Sequence, residues 1–279
     1  MTKSLAIICE NTVGRPIAAC GEHGFCCLVQ TSCGKFLFDT GSGATLLQNL
    51  DILGHEAEGI DAIVLSHGHY DHCGGLLPLL VKIGPRPVYA HPRIFTERFW
   101  RGQYEQRNIS LPYRRADLEA AGADFHLLDT FTEIASGLYF SGSIPRAFPH
   151  ETGDPHLVLA AENAQGWESD AFPDDAALAL ETSKGLVVLL GCAHAGLVNT
   201  VEYFLSQLGH PRIHAIIGGT HLGPAGDEQF AATVDYLLHL DFDRLGVSHC
   251  TGQLRSAQLH ARFPNKVFFA NVGTNVSLD

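Results

Sequence analysis

The chain has 279 residues, 46% of them hydrophobic, enough to bury a sizeable core in one large domain or two small ones. Thirty acidic residues against eighteen Lys plus Arg give a formal net charge of −12, which argues against a partner held by phosphate neutralisation, nucleic acid above all. No apolar stretch approaches the roughly 20 residues that span a bilayer, "SLAIIC" near the start lacks the length and cleavage pattern of a secretory signal, and the eight cysteines include neither a CxxC pair nor a disulfide-dense segment; a cytoplasmic chain with reduced thiols and no membrane partner is expected.

In chain order, "LAIIC", "FCCLVQ" and "KFLFDTG" read as strands of a meander, with "SCGK" as the hairpin connection between the last two. A helix-like stretch covers 44–50, followed by the strand "IDAIVL", a histidine-rich loop, and "CGGLLPLLVKI", which suits a buried helix carrying Pro78 in its early turns. "PVYAH" returns as a strand, and residues 92–122, polar and aromatic with several Arg, read as an irregular or helical excursion over the site. "DFHLLD", "GLYFSG", "HLVLAAE" and "ALALET" resume the strand rhythm, with "ENAQGWESDAFPDDA" as an acidic loop. Beyond them "GLVVLLG" leads into the helix-like "GLVNTVEYFLSQL", and "IHAIIGG" into "DEQFAATVDYLLHL", where Phe230, Val234, Leu237 and Leu238 fall on one face. "RLGVSHC" and "KVFFAN" close as strands. No linker or short-period repeat interrupts this order, so residues 1–279 read as one domain. The early hairpins have no helices between them, which favours a two-sheet sandwich flanked by helices over a parallel barrel.

Sixteen histidines are many for this chain, and several close an apolar run: His67, His194, His221 and His249. The densest group is "SHGHYDHCGG" at 66–75. On an extended loop His67 and His69 point the same way, while Asp71 and His72 can turn to a neighbouring point, so one loop can serve two cations. Imidazole and carboxylate suit first-row metals, and Gly68, Gly74 and Gly75 allow the tight bends. Burying four such groups without a metal is expensive, which separates this loop from a polar surface turn.

"SHGHYDHCGGL" resembles the signature of the metallo-β-lactamase superfamily, and "FLFDTGSG" is similar to its first motif. The resemblance implies an α+β fold, a four-layer αβ/βα sandwich of two mixed sheets flanked by helices with a metal centre between the halves. It makes Asp39 a support for the metal loop, where the residues alone read equally as a turn-forming Asp before Gly. The final superfamily motif, a histidine after a late strand, falls on His249. In the middle, Gly191-Cys192 stands where many members carry Gly-Asp. His194, two residues on, is the favoured ligand, with His150 and His156 as rivals, and Cys192 is either a ligand or a small buried thiol.

"GEHGFCCLVQ", "GSIPR", "GCAHAGLVN", "GGTHL" and "HCTG" further resemble a branch grouped with an archaeal dihydropterin ribofuranosyl-aminobenzene phosphate synthase, which implies a cleft for a phosphorylated, ring-bearing small molecule. Arg146 suits a phosphate grip or a surface ion pair, and Glu22 and His23 a rim position or ordinary turn chemistry. By the same resemblance His67, His69 and His194 hold one ion and Asp71, His72 and His249 the other, zinc being expected at both and iron or manganese the alternatives. The expected activity is that of a metal-dependent hydrolase or related transferase working through metal-bound hydroxide, with Asp71 orienting water and His221 contacting substrate or protonating the leaving group. Thioester hydrolysis of the glyoxalase type, or ligand binding without turnover, are the competing functions.

Overall fold

The computed structural model describes residues 3–161, 166–209 and 212–278. Two seven-stranded sheets face each other. The first runs, edge to edge, Asn275–Ser277, Ser4–Cys9, Cys26–Thr31, Gly34–Phe38, Ala62–Val64, Arg86–Ala90 and Ala123–Leu127. The second runs Val267–Phe269, Phe242–Ser248, Ile213–Gly219, Gly185–Leu190, Ala177–Thr182, Leu138–Phe140 and Thr132–Ala135. Each sheet is antiparallel at one side and parallel at the other, because the hairpins come without helices and the later strands are joined by helical crossovers.

Two-residue alternation sorts the side chains into layers. From the strand Gly185–Leu190, Val187 and Leu189 enter the core between the sheets, where they meet Phe38, Val64 and Ile217, while Leu186, Val188 and Leu190 face the helices Leu197–Leu208, Asp227–His239 and Gln253–Arg262. On the first sheet Leu5 and Ile7 point inward, and Ala6 and Ile8 outward toward the helices Leu46–Ile52 and Leu76–Ile83. The layers are therefore helix, sheet, sheet, helix, an αβ/βα sandwich. Among the described residues no helix is long and apolar enough to cross a membrane.

Three expectations need correction. Leu238 is 48% exposed; it follows Leu237 by about 100° around the helix, so of the four expected residues Phe230, Val234 and Leu237 face the core and Leu238 does not. Residues 92–122 are largely irregular with one short helix, Arg115–Ala120, but they also hold two strands that the sequence did not suggest: Phe99–Arg101 and Gln106–Asn108 join Leu157–Ala160 and Trp167–Ser169 in a four-stranded sheet. The acidic run after "HLVLAA" is not a simple loop either. Its residues 162–165 lie outside the described residues; of the remainder, Trp167–Ser169 is a strand, and Asp170 and Asp174 turn inward to pair with Arg98, itself 1% exposed.

Candidate metal centre

Strand ends build the site. Asp39 follows the strand Gly34–Phe38, and His67 lies three residues beyond Ala62–Val64. Cys192 and His194 follow Gly185–Leu190, His221 follows Ile213–Gly219, and His249 directly follows Phe242–Ser248. Open sheets present ligand sites at the carboxyl ends of their strands, and here both sheets point those ends into one cleft of about 270 Å³.

His194 Nε2 stands 3.3 Å from His67 Nε2, and His69 Nδ1 stands 3.0 Å from it on another side. His67 and His194 form one convergent group with the Cys192 thiol, and His69 adjoins it through His67. Beside it His72 Nε2 lies 3.3 Å from His249 Nε2, 3.1 Å from Cys192 Sγ and 3.9 Å from Asp71 Oδ2, which is itself 3.3 Å from His249 Nε2. Imidazole nitrogens roughly 2.0–2.1 Å from zinc in a tetrahedron stand about 3.3–3.4 Å apart, close to these separations.

The far nitrogens complete the fit. Asp39, fully buried, accepts from Ser66 N and Ser66 Oγ, each at 2.7 Å, and from His72 Nδ1 at 2.6 Å. The Ser66 hydroxyl spends its single proton on Asp39, so it accepts from His67 Nδ1 at 2.8 Å. His249 Nδ1 donates to Asn11 Oδ1 at 2.9 Å, and the His249 backbone N–H to Glu10 Oε1 at 2.7 Å. With Nδ1 engaged as a donor, each of these rings leaves Nε2 as the nitrogen that faces its neighbours and can take a metal, the arrangement that outer partners impose on metal-ligating histidines. The residues present fit a metal.

Electrostatics divide the two groups. Burial, reinforced by neighbouring imidazoles and, for His67 and His69, by Arg98, keeps His67, His69 and His194 well below the usual histidine range and neutral. Burial opposes protonation of His72 too, but the Asp39 and Asp71 carboxylates overcome it and hold that ring at about 9. Against the same burial penalty, His72, His23 and His249 keep Asp71 well below the carboxylate range. Burial and the adjacent Cys250 raise the Cys192 thiol; burial resists ionisation of Cys250, yet Cys192 and the His221 and His249 rings bring it well down. His221, although burial opposes it, is held up to about 9 by Asp154 and Cys250.

The loop geometry leaves little freedom. Gly68 is required because a Cβ there would lie 2.2 Å from Ile94 O, and Gly191 because one would lie 2.2 Å from Ser66 Oγ. Asp174 accepts the Gly68 N–H at 3.0 Å while pairing with Arg98, which ties the His67–His69 turn to the small sheet.

All six sequence-derived ligands, His67, His69, Asp71, His72, His194 and His249, lie together, and His221 lines the same cleft. His150 faces Glu228 and His156 stacks on Trp100, so neither rival replaces His194 in the convergent groups. Arg146 is exposed, donates to Ala171 O at 2.9 Å, and lines a neighbouring cleft that also reaches His194. Glu22 buttresses the loop after Asp39 by accepting from Ser42, Ala44 and Thr45. His23 takes the rim position: its side chain is largely exposed and lines the cleft, with Nε2 3.2 Å from Asp71 Oδ2, in a convergent group with Asp71 and His249. Sequence reasoning missed Glu10 and Asn11, although they directly follow the strand Ser4–Cys9 in the same strand-end position as the histidines.

A histidine-loop site between the halves of an αβ/βα sandwich defines a metallo-β-lactamase-type protein, and the superfamily's sequence profile matches residues 21–203: the chain belongs to the metallo-β-lactamase superfamily. It is 29% identical over 254 residues to the 7,8-dihydropterin-6-methyl-4-(β-D-ribofuranosyl)-aminobenzene-5′-phosphate synthase of Methanocaldococcus jannaschii, covering 88% of this chain and 86% of that one. A second, uncharacterised protein of that organism is 31% identical over 252 residues, covering 89% and 90%. Among solved structures, Tm1679, described as a metal-dependent hydrolase of the β-lactamase superfamily, superposes with a TM-score of 0.84 over 99% of both chains at 24% identity, a likeness of fold.

Proposed function

We propose that the protein is a metal-dependent hydrolase, or a transferase using the same centre, that acts on a small phosphorylated molecule carrying a planar ring. The observation that carries this is the convergence of His67, His69 and His194 beside Asp71, His72 and His249, with the far nitrogens of His67, His72 and His249 each tied to an oxygen acceptor. Zinc suits this mixed imidazole, carboxylate and thiol set, with Cys192 placed between the two groups where it can serve both. A divalent cation there acidifies water toward neutrality and draws charge from a carbonyl or phosphoryl oxygen.

The chain's own residues supply the rest. Asp71, anionic at neutral pH, accepts a proton or a hydrogen bond at the cleft floor. His221, protonated at neutral pH, can give its proton to a departing oxygen or nitrogen. The small sheet walls the cleft with Trp100, Ile109 and Leu157, and Tyr70 adds a second aromatic; Arg107 lies over the Trp100 ring at 4.6 Å. An aromatic wall with a guanidinium suits a flat ring bearing an anionic group, and Arg146 stands at the adjoining cleft for a phosphate. The ribofuranosyl-aminobenzene phosphate in the archaeal synthase's name has this chemistry, and that relative's description as a synthase favours group transfer as one form of the reaction. The partner proposed is thus a small molecule and not nucleic acid or membrane, in a reducing cytoplasm.

The test is metal analysis of protein purified without added metal, followed by turnover of the zinc-loaded protein on phosphoester, thioester, lactone and lactam panels. Turnover of ring-bearing phosphorylated compounds, lost in His67→Ala and Asp71→Asn, is expected. Turnover confined to thioesters would point to the glyoxalase-type activity, and tight ligand retention without any turnover to a binding protein.

A further inference from the structure

Cys192, which adjoins both groups invoked above, also meets a second thiol and a ring that neither group uses. Cys192 Sγ, Cys250 Sγ and an imidazole nitrogen of His221 all lie within 4.8 Å of one another. They come from the ends of three adjacent parallel strands, Gly185–Leu190, Ile213–Gly219 and Phe242–Ser248. Cys250 Sγ fills the space left by the missing side chain of Gly219, where a Cβ would lie 2.6 Å away. It accepts the His221 backbone N–H at 3.2 Å and lies 3.5 Å from Cys192 O.

Two further observations point to a ligand. Ala193, His221 and His249 all take left-handed backbone conformations, with φ of 56°, 50° and 49°. Such strain in residues bearing a side chain persists where surrounding structure enforces it, and here it falls at or beside every member of the trio. Among the described residues neither ring nitrogen of His221, both shielded from solvent, has a hydrogen-bond partner; Asp154 stands 3.8 Å away. An enclosed polar atom with no partner calls for one.

We infer that Cys192, His221 and Cys250 form a third cation position, one that takes a soft, tetrahedrally coordinated ion such as zinc(II) through two thiolates and one imidazole. The fourth position faces the cleft, which Cys192, His221 and Cys250 all line. Binding forms two metal–sulfur bonds and one metal–nitrogen bond, the protons of the thiols and of the donating His221 nitrogen pass to solvent, and His221 no longer serves as the acid proposed above while the ion is bound; nothing is oxidised or reduced. The position shares Cys192 with the histidine groups and in that respect rests on reading them as a metal centre.

The full chain, stripped of metal by a chelator under reducing conditions, is titrated with cobalt(II), whose thiolate complexes absorb in the near ultraviolet, beside Cys250→Ser and His67→Ala. Wild type is expected to bind one equivalent more than Cys250→Ser, with a stronger thiolate band, and His67→Ala to keep that Cys250-dependent equivalent. In unmutated protein, cadmium(II) at ten times its dissociation constant is expected to slow alkylation of Cys250, read by peptide mass spectrometry, about tenfold. Equal stoichiometry and band in wild type and Cys250→Ser, loss of the Cys250-dependent equivalent in His67→Ala, or alkylation of Cys250 indifferent to cadmium would each overturn the third position. Failure of the histidine centre leaves a different mark: His67→Ala would bind as many equivalents as wild type.

Discussion

Asp39→Asn is the sharpest probe of how the second histidine group is set. Asp39 is fully buried with φ 61°, a left-handed conformation that Asn tolerates as well as Asp, so the backbone gains no new strain. What changes is one oxygen. Oδ1 accepts the Ser66 backbone N–H, which has no alternative, so the amide keeps its oxygen there and turns its NH₂ toward Ser66 Oγ and His72 Nδ1. His72 Nδ1 must then accept instead of donate, and the ring proton moves to Nε2, the atom that faces His249 and Cys192. A cation needs a lone pair at that nitrogen. Loss of an outer partner of this kind weakens metal binding about 10- to 100-fold, or about 1.4–2.7 kcal/mol. Competition of wild type and variant against a chromophoric chelator for zinc measures the loss, and melting of the metal-free proteins checks that both fold. Wild-type zinc affinity in a folded Asp39→Asn would refute the control of His72 by Asp39.

Further outcomes are expected. In the metal-free protein His72 is held at about 9 against an ordinary value near 6.5, so the stability it adds is complete below about 6.5 and fades as pH rises through about 9; a flat pH dependence of urea unfolding over that window would contradict it. Because metal must displace the same proton, affinity at that group should rise by up to about tenfold per pH unit until about 9, measurable by the chelator competition at several pH values. Arg98→Met should destabilise the fold by about 3–5 kcal/mol, since it strands the Asp170 and Asp174 carboxylates in the interior, and a loss under 1 kcal/mol in denaturant titration would show the pair to be dispensable. Leu189→Ala, in the core between the sheets, should cost about 2–5 kcal/mol in the same titration while leaving metal stoichiometry unchanged.

The parts of this molecule that could be read from its sequence are those with local signals. Apolar runs of one strand's length, each ending in Asp, Cys or His, marked the parallel strands and their functional ends, and the spacing of His67, His69, Asp71 and His72 marked the loop. What escaped was set by partners distant along the chain. Phe99–Arg101 hairpins with Gln106–Asn108, but the partner that builds the pair into a sheet, Leu157–Ala160, lies some sixty residues later. The acids Asp170 and Asp174 resemble a solvated loop until Arg98 is placed between them. Glu10 and Asn11 carry the strand-end pattern, but nothing local ties them to His249, 238 or more residues away. Leu238 failed for a simpler reason: an apolar residue one step off a helical stripe is still apolar in the sequence.

The four-stranded sheet draws its strands from two excursions, 99–108 from the chain that belongs to the first half of the sandwich and 157–169 on the way into the second, and they meet across the mouth of the cleft. Under the proposed function, selection of the incoming molecule would be housed apart from the strand ends that gather the imidazoles. Substitutions at Trp100, Arg107 or Leu157 can alter what is admitted while the interior cup keeps its shape, so descendants of one scaffold can diverge in diet without relearning their chemistry.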